Sequence, residues 1–165
     1  MSVEVNWRRA GVVIGLVAAG ILLDQVTKAM AREFLMGAAA QPYLDGFFVL
    51  TFTENRGAFL SLGAGLSEQL RYWGLKVAPM LLLAGILLHT LLAKDVSRLQ
   101  AVAFGLIIGG GISNVYDRIA YNKVVDFMLM GIGGLKTGVF NFADVFIMAG
   151  LGIMLLGLFR RPVGQ

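Results

Sequence analysis

The 165-residue sequence has no cysteine and a single histidine. Without cysteine, disulfides, thiol nucleophiles and thiolate metal sites are excluded. His89 alone falls short of the three or four His, Cys or carboxylate ligands that a zinc site takes. Charge is scarce as well. Asp, Glu, Lys and Arg make up 15% of the residues, against roughly 25% in soluble domains. The net charge of +4 comes from basic residues that are scattered or sit at the ends of apolar runs, which does not suit a nucleic-acid surface. What the chain has in abundance is apolar surface: 58% of its residues are hydrophobic and its mean hydropathy is +0.78. This composition describes an integral membrane protein, and the length suits one domain over residues 1–165.

Four apolar segments approach the roughly 20 residues that a bilayer core requires. They run over about 9–29, 75–93, 99–116 and 139–159. The expected fold is therefore an all-α membrane protein with four transmembrane helices and two long loops, about 30–74 and 117–138. Arg8-Arg9, Lys94 with Arg98, and Arg160-Arg161 flank the same side of a four-span bundle. By the positive-inside rule that side is cytoplasmic, with both termini, and the two long loops face outward. Arg8-Arg9, the first apolar run and Ala38-Ala39-Ala40 mimic the parts of a cleavable leader. Asp24, Lys28, Arg32 and Glu33 intervene, so the first span is expected to stay.

The first outer loop carries its own signals. Phe47–Thr53 is aromatic and β-branched and predicts a strand, with turn residues Asp45-Gly46 before it and Asn55-Arg56-Gly57 after it. A second short strand is expected over Ala58–Leu62. Ser67 is placed to cap a short interfacial helix through Leu70, Tyr72 and Trp73. The expected picture is a small extracytoplasmic sheet and this helix lying over the outer mouth of the bundle.

The stretch from Gly109 to Asp144 demands explanation. Asp117, Asp126 and Asp144 lie among apolar runs, with Asn114, Arg118 and Asn141 close by. A carboxylate in a bilayer is costly unless it pairs, faces a cavity or does chemistry. Asn114 with Arg118, and Asn114 with Asp117, share neighbouring helix faces. They suit either an interfacial cap, with Arg118 snorkelling to water, or a site. Asp24 and Lys28, four apart in the first span, suit an ion pair near the interface, or a role in binding a lipid headgroup or supporting a site. Asp144 could be a helix-start carboxylate favoured by the helix dipole. Asp126 and Asp144, if brought together, would share a proton and act as base toward water and acid toward a scissile carbonyl. Spacing alone does not place them in contact.

Five blocks in order carry a resemblance. They are Asp24-Gln25-Val26-Thr27-Lys28, Asn55-Arg56-Gly57-Ala58-Phe59, Gly109-Gly110 through Asn114 to Asp117-Arg118, Val124-Val125-Asp126-Phe127, and Phe140-Asn141-Phe142-Ala143-Asp144. Over nearly the whole chain the sequence resembles lipoprotein signal peptidase, or signal peptidase II, the bacterial membrane aspartyl protease family. The resemblance implies that Asp126 and Asp144 are the catalytic aspartates. It implies that Arg118 and Asn55, with Gly57 in the same block, hold the substrate peptide, and that Asn114 and Asn141 support the site. Asp117, Asp24 and Lys28 join as supporting positions, the last two near the substrate's lipid region. The implied reaction is hydrolysis of a diacylglyceryl-prolipoprotein just before its lipidated Cys. No cofactor or metal is implied. The implied setting is a monomer in the bacterial inner membrane, acting at the outer face among membrane lipid and inhibited by the cyclic lipopeptide globomycin. Two departures stand out: Phe59 comes one place earlier than the family's common form, and Ser113 replaces a frequent Gly.

Two other readings compete. A small four-span transporter would use Asp24 as a proton or cation site, leaving the outer polar blocks unexplained. A serine protease would need Ser61 or Ser113 with Lys28 or His89, and no Gly-x-Ser-x-Gly block is present.

Overall fold

The computed structural model describes residues 5–57 and 65–159. The strand expected over 58–62 and the Arg160-Arg161 pair lie outside the described residues.

Helix α1 (Trp7–Leu35) starts at Asn6, whose side chain accepts from the Arg9 backbone at 3.1 Å. The helix runs beyond the span read from the sequence because nothing between Ala29 and Leu35 breaks it. The short helix α2 (Glu68–Tyr72) is capped by Ser67, as expected. It does not stand apart, however. A π turn (Trp73–Val77) leads without a break into α3 (Ala78–Leu92). Helix α4 (Arg98–Tyr121) opens on a reciprocal Ser97–Gln100 capping box and closes on Asn122, a left-handed residue at φ +56°. The third apolar run therefore continues past Asp117 and Arg118 as helix rather than loop. Helix α5 (Phe142–Phe159) ends the described chain.

By length and composition α1, the α2–α3 helix and α4 can each cross a membrane; α5 is a shorter apolar helix. Helix α4 is the hub and packs on α1, α3 and α5. Half of its apolar window is buried, against 22% for α1 and 11% for α2–α3. The outward faces of α1, α3 and α5 present Leu22, Leu81, Leu82, Met148 and Leu156, all more than half exposed. A belt of this kind suits lipid rather than water.

Small residues set how close α5 comes to α4. A Cβ on Gly110 would run into the Ala143 carbonyl oxygen and Ile147. Gly110→Ala should therefore push α5 away and lower stability by about 1–3 kcal/mol. Gly85→Ala, which meets nothing within 4 Å, is the control. Thermal melts of the two variants in one detergent check this.

The second long loop, placed at about 117–138, is helix as far as Tyr121 and mostly strand after it. Strands β1 (Gln41–Tyr43), β2 (Phe48–Asn55), β3 (Val124–Ile132) and β4 (Leu135–Lys136) form one antiparallel sheet in that order. Strand β2 begins within a residue of the run read from sequence. A bulge lies between Leu50 and Thr53. The β3–β4 connection is a two-residue turn with Gly133 at φ +58°, in the first central position, where such hairpins use glycine. The sheet seats on the end of α1: Ala31, Leu35, Val125, Phe127 and Met128 form a buried cluster, edged by Phe48, Leu50 and Phe140.

Candidate active site

Asp126 is carried on β3, cross-strand from Thr53, and is 3% exposed. Asn55 Nδ2 donates to its Oδ2 at 2.9 Å, and Asn141 Nδ2 donates to its Oδ1 at 2.7 Å. Asp144 sits in the first turn of α5. Asn141 N donates to Asp144 Oδ2 and Asp144 N donates to Asn141 Oδ1, both at 3.1 Å. This reciprocal pair is a capping box written with Asn and Asp, so the residues that start α5 also orient a cleft carboxylate. Asn114 Nδ2 holds the other oxygen of Asp144 at 2.9 Å.

A backbone clamp brings the two acids together. Phe127 N and Met128 N both donate to Phe140 O, at 3.0 and 2.9 Å, and Phe140 N donates to Met128 O at 2.7 Å. The residue after Phe140 is Asn141, which thereby lies beside Asp126 and touches both acids. Asp126 and Asp144 line one narrow cleft of about 10 Å³, with Asn55, Asn114, Arg118 and Asn141. That volume is on the order of one water molecule.

Arg118 does not snorkel away from this cleft. It is half-buried, donating through Nη1 to Asn114 O at 3.2 Å and through Nη2 to Gly57 O at 3.1 Å. Gly57 N in turn donates to Asn55 Oδ1 at 2.9 Å, an Asx turn that fixes Asn55 against Asp126.

Behind the cleft lies a buried charge cluster. Asp24, Lys28 and Asp117 are each 0% exposed. Lys28 Nζ is 2.6 Å from Asp24 Oδ2 and 2.7 Å from Asp117 Oδ2, the latter an ion pair without hydrogen-bond alignment. Lys28 also donates to Asn114 Oδ1 at 2.8 Å, which links the cluster to the residue holding Asp144. Asp24 Oδ1 accepts from Ala143 N at 2.9 Å, in the first turn of α5. The pairing of Asp24 with Lys28 follows the sequence reading. A headgroup-binding position does not, because the pair points into the bundle and meets α4 and α5 rather than lipid.

Two members of this cluster, Ser113 and Gln25, were not read as supporting the site from the sequence. Ser113 Oγ donates to Asp24 Oδ2 at 2.7 Å, and Gln25 Nε2 donates to Ser113 Oγ at 2.9 Å and to Asp117 Oδ1 at 3.0 Å. The available signal was spacing: Ser113 lies one helical turn before Asp117, on the same face. His89 is elsewhere, edge-on to Phe104 at 5.9 Å, and Ser113 is engaged by Asp24 and Gln25. Neither supports a serine route.

Asp126 titrates high, pushed up to about 6. Burial is the main cause, and the Asp144 charge adds to it. The hydrogen bonds from Asn55 and Asn141, and the Lys28 charge, pull the other way.

Residues 16–160 match the family model described as signal peptidase (SPase) II. A lipoprotein signal peptidase of Nitratidesulfovibrio vulgaris is 34% identical over 151 residues, covering 92% of this chain and 91% of that protein. One of Nostoc sp. is 36% identical over 140 residues, covering 85% and 84%. A solved bacterial membrane enzyme superposes with a TM-score of 0.78 over 94% of each chain at 22% identity, so that likeness speaks for the fold alone. With the match running across the helices, the sheet and the cleft residues, the chain belongs to the signal peptidase II family.

Proposed function

We propose that this protein is an aspartyl endopeptidase of four membrane spans that removes the signal peptide from diacylglyceryl-modified prolipoproteins, cutting just before the lipidated Cys. The observation that carries the reading is the shared cleft, in which Asn141 hydrogen-bonds both Asp126 and Asp144. Membership of the family supports the substrate class. The 18 residues of α5 fall within the roughly 17–25 that a span needs, which supports the fourth crossing.

In the proposed mechanism one carboxylate takes a proton from water while the other gives its proton to the scissile carbonyl oxygen. The water oxygen bonds to the carbonyl carbon. The tetrahedral adduct collapses as the C–N bond breaks and the leaving amine takes a proton from the dyad. Asn55, Asn114 and Asn141 hold the two acids in register. Arg118 and the Gly57 segment line the approach and hold the peptide. The substrate's acyl chains stay in the bilayer, each buried CH₂ contributing about 0.8 kcal/mol, so the bond before the Cys is presented at headgroup depth. The flanking charges support a cleft at the outer face and both termini in the cytoplasm. Globomycin would act by occupying this cleft.

The test is a cleavage assay with the purified protein. A diacylglyceryl precursor should be cut and the same precursor without lipid should not. Chelator should leave the rate unchanged, since no group of three or more His, Cys, Asp or Glu able to hold a metal occurs among the described residues. The pH dependence has a definite sign. The raised group keeps its proton below about 6 and loses it above. The singly protonated dyad is therefore depleted as pH rises, and kcat/KM should fall on the alkaline side of that value. Equal cleavage of the unlipidated precursor would overturn the substrate assignment. A kcat/KM that rises through this range would overturn the assignment of the shared proton to Asp126.

A further inference from the structure

The proposed chemistry uses only one end of the bundle. At the other end, where α1 and α4 begin, there is a cavity of about 600 Å³ lined by Asn6, Arg8, Arg9, Arg98, Val12 and Val96, among others. No acidic residue is among its described lining residues. Arg9 is fixed there, donating to Leu91 O at 3.1 Å and to Val96 O at 3.5 Å, so it ties α1 to the α3–α4 connection. Arg8 and Arg98 have no side-chain hydrogen-bond or ion-pair partner among the described residues, and both are exposed. Three arginines thus line one cavity, and two of them are uncommitted among the described residues.

Position decides what such a cavity can hold. From Arg98 to Asn114, α4 rises about 24 Å, close to the roughly 30 Å thickness of a bilayer core. The cavity therefore lies about 24 Å along the helix axis from the cleft, which brings it near the opposite boundary of the bilayer core. Its walls are mixed: Val12 and Val96 beside the arginines offer an apolar surface next to a cationic one. The first turns of α1 and α4 add the positive ends of two helix dipoles. A guanidinium pairs with phosphate through two parallel hydrogen bonds, and basic pockets between spans recognise phosphorylated headgroups.

We propose that this cavity binds an anionic phospholipid of the leaflet opposite the active site. Arg8 and Arg98 are its phosphate ligands, Arg9 contributes charge, and the start of an acyl chain lies on Val12 and Val96. The site is separate from the cleavage machinery, so it holds or fails independently of the proposed peptidase reaction.

Native mass spectrometry of the purified full chain tests it, with phosphatidylglycerol and phosphatidylcholine offered in equal amounts. The wild-type protein should retain phosphatidylglycerol about tenfold over phosphatidylcholine. Arg8→Gln/Arg98→Gln should bring that ratio close to one, and Arg8→Lys/Arg98→Lys should keep most of it. Equal retention of the two lipids by the wild-type chain would overturn the proposal, and so would an unchanged preference in the glutamine variant. If millimolar inorganic phosphate displaces phosphatidylglycerol, the cavity is a free-anion site and the lipid assignment is wrong. The headgroup comparison needs no variant, so a glutamine variant that fails to fold still leaves the proposal open to refutation.

Discussion

Asp126→Asn and Asp144→Asn are each expected to reduce cleavage of a lipid-modified precursor by about 10³-fold or more, since each removes one half of the proposed acid–base pair. An amide can neither take a proton from water nor give one to the carbonyl oxygen. The substitutions keep the shape of the side chain but not all of its bonds. Asp126 accepts from Asn55 and Asn141, and Asp144 from Asn114 and the Asn141 backbone, through both oxygens in each case. An asparagine keeps one carbonyl oxygen as acceptor and turns the other oxygen into an NH₂ that faces an N–H donor, at a cost of about 1–3 kcal/mol. Melting temperature in detergent should fall modestly, with folded protein still recovered, while turnover disappears. Near-normal cleavage by either variant would show that the pair is not the catalytic dyad. Combining the two should cost little more than either alone, because groups that act as one unit are not additive.

Lys28→Met should have the second-largest effect, and it should fall on stability before activity. Lys28 is the buried cation between Asp24 and Asp117, at 2.6 and 2.7 Å. Removing one partner of a buried ion pair leaves an uncompensated charge, at a cost of about 3–5 kcal/mol. Here two carboxylates would lose their counter-charge together. The expected result is a steep fall in melting temperature, and in yield of folded protein from the membrane. Lys28→Met/Asp24→Asn/Asp117→Asn should recover much of the stability, since the neutral set leaves no charge buried alone. Asp117→Asn by itself should lose stability without the all-or-none loss of turnover expected at Asp126. A Lys28→Met protein that melts like the wild type would mean that the cluster is neutral in the folded state.

Much of this arrangement was legible in the sequence, for uneven reasons. The apolar runs announced the helices because the bilayer imposes a length on them, and Asp24 with Lys28 announced a pair because the α-helix imposes a spacing. The approach of Asp126 to Asp144 had no such local sign. It depends on the Phe140 clamp, which is a backbone contact and so leaves no mark in residue type. Strand β3 was missed for a related reason. Val124 to Met128 are all buried, so the usual alternation of apolar and polar residues is absent. The end of α4 was placed too early because Asp117 and Arg118 read as the polar edge of a span. Both are turned inward, one to Lys28 and the other over the cleft. Ser113 was read as a departure from the family's usual residue, and its hydroxyl proves to be a bridge between Asp24 and Gln25.

The glycine turn between β3 and β4 bears on engineering. Residues 132–137 are exposed, and the acids on either side are registered by the Phe140 backbone bonds and the capping box, not by the span of chain between the strands. A reporter peptide or a fluorophore-bearing cysteine placed at Gly134 would sit at the tip of the sheet, eight residues along the chain from Asp126 and outside the lining of the cleft, whose geometry would stay as it is. In a protein with no native cysteine, that gives a single addressable handle at a distance from the two acids.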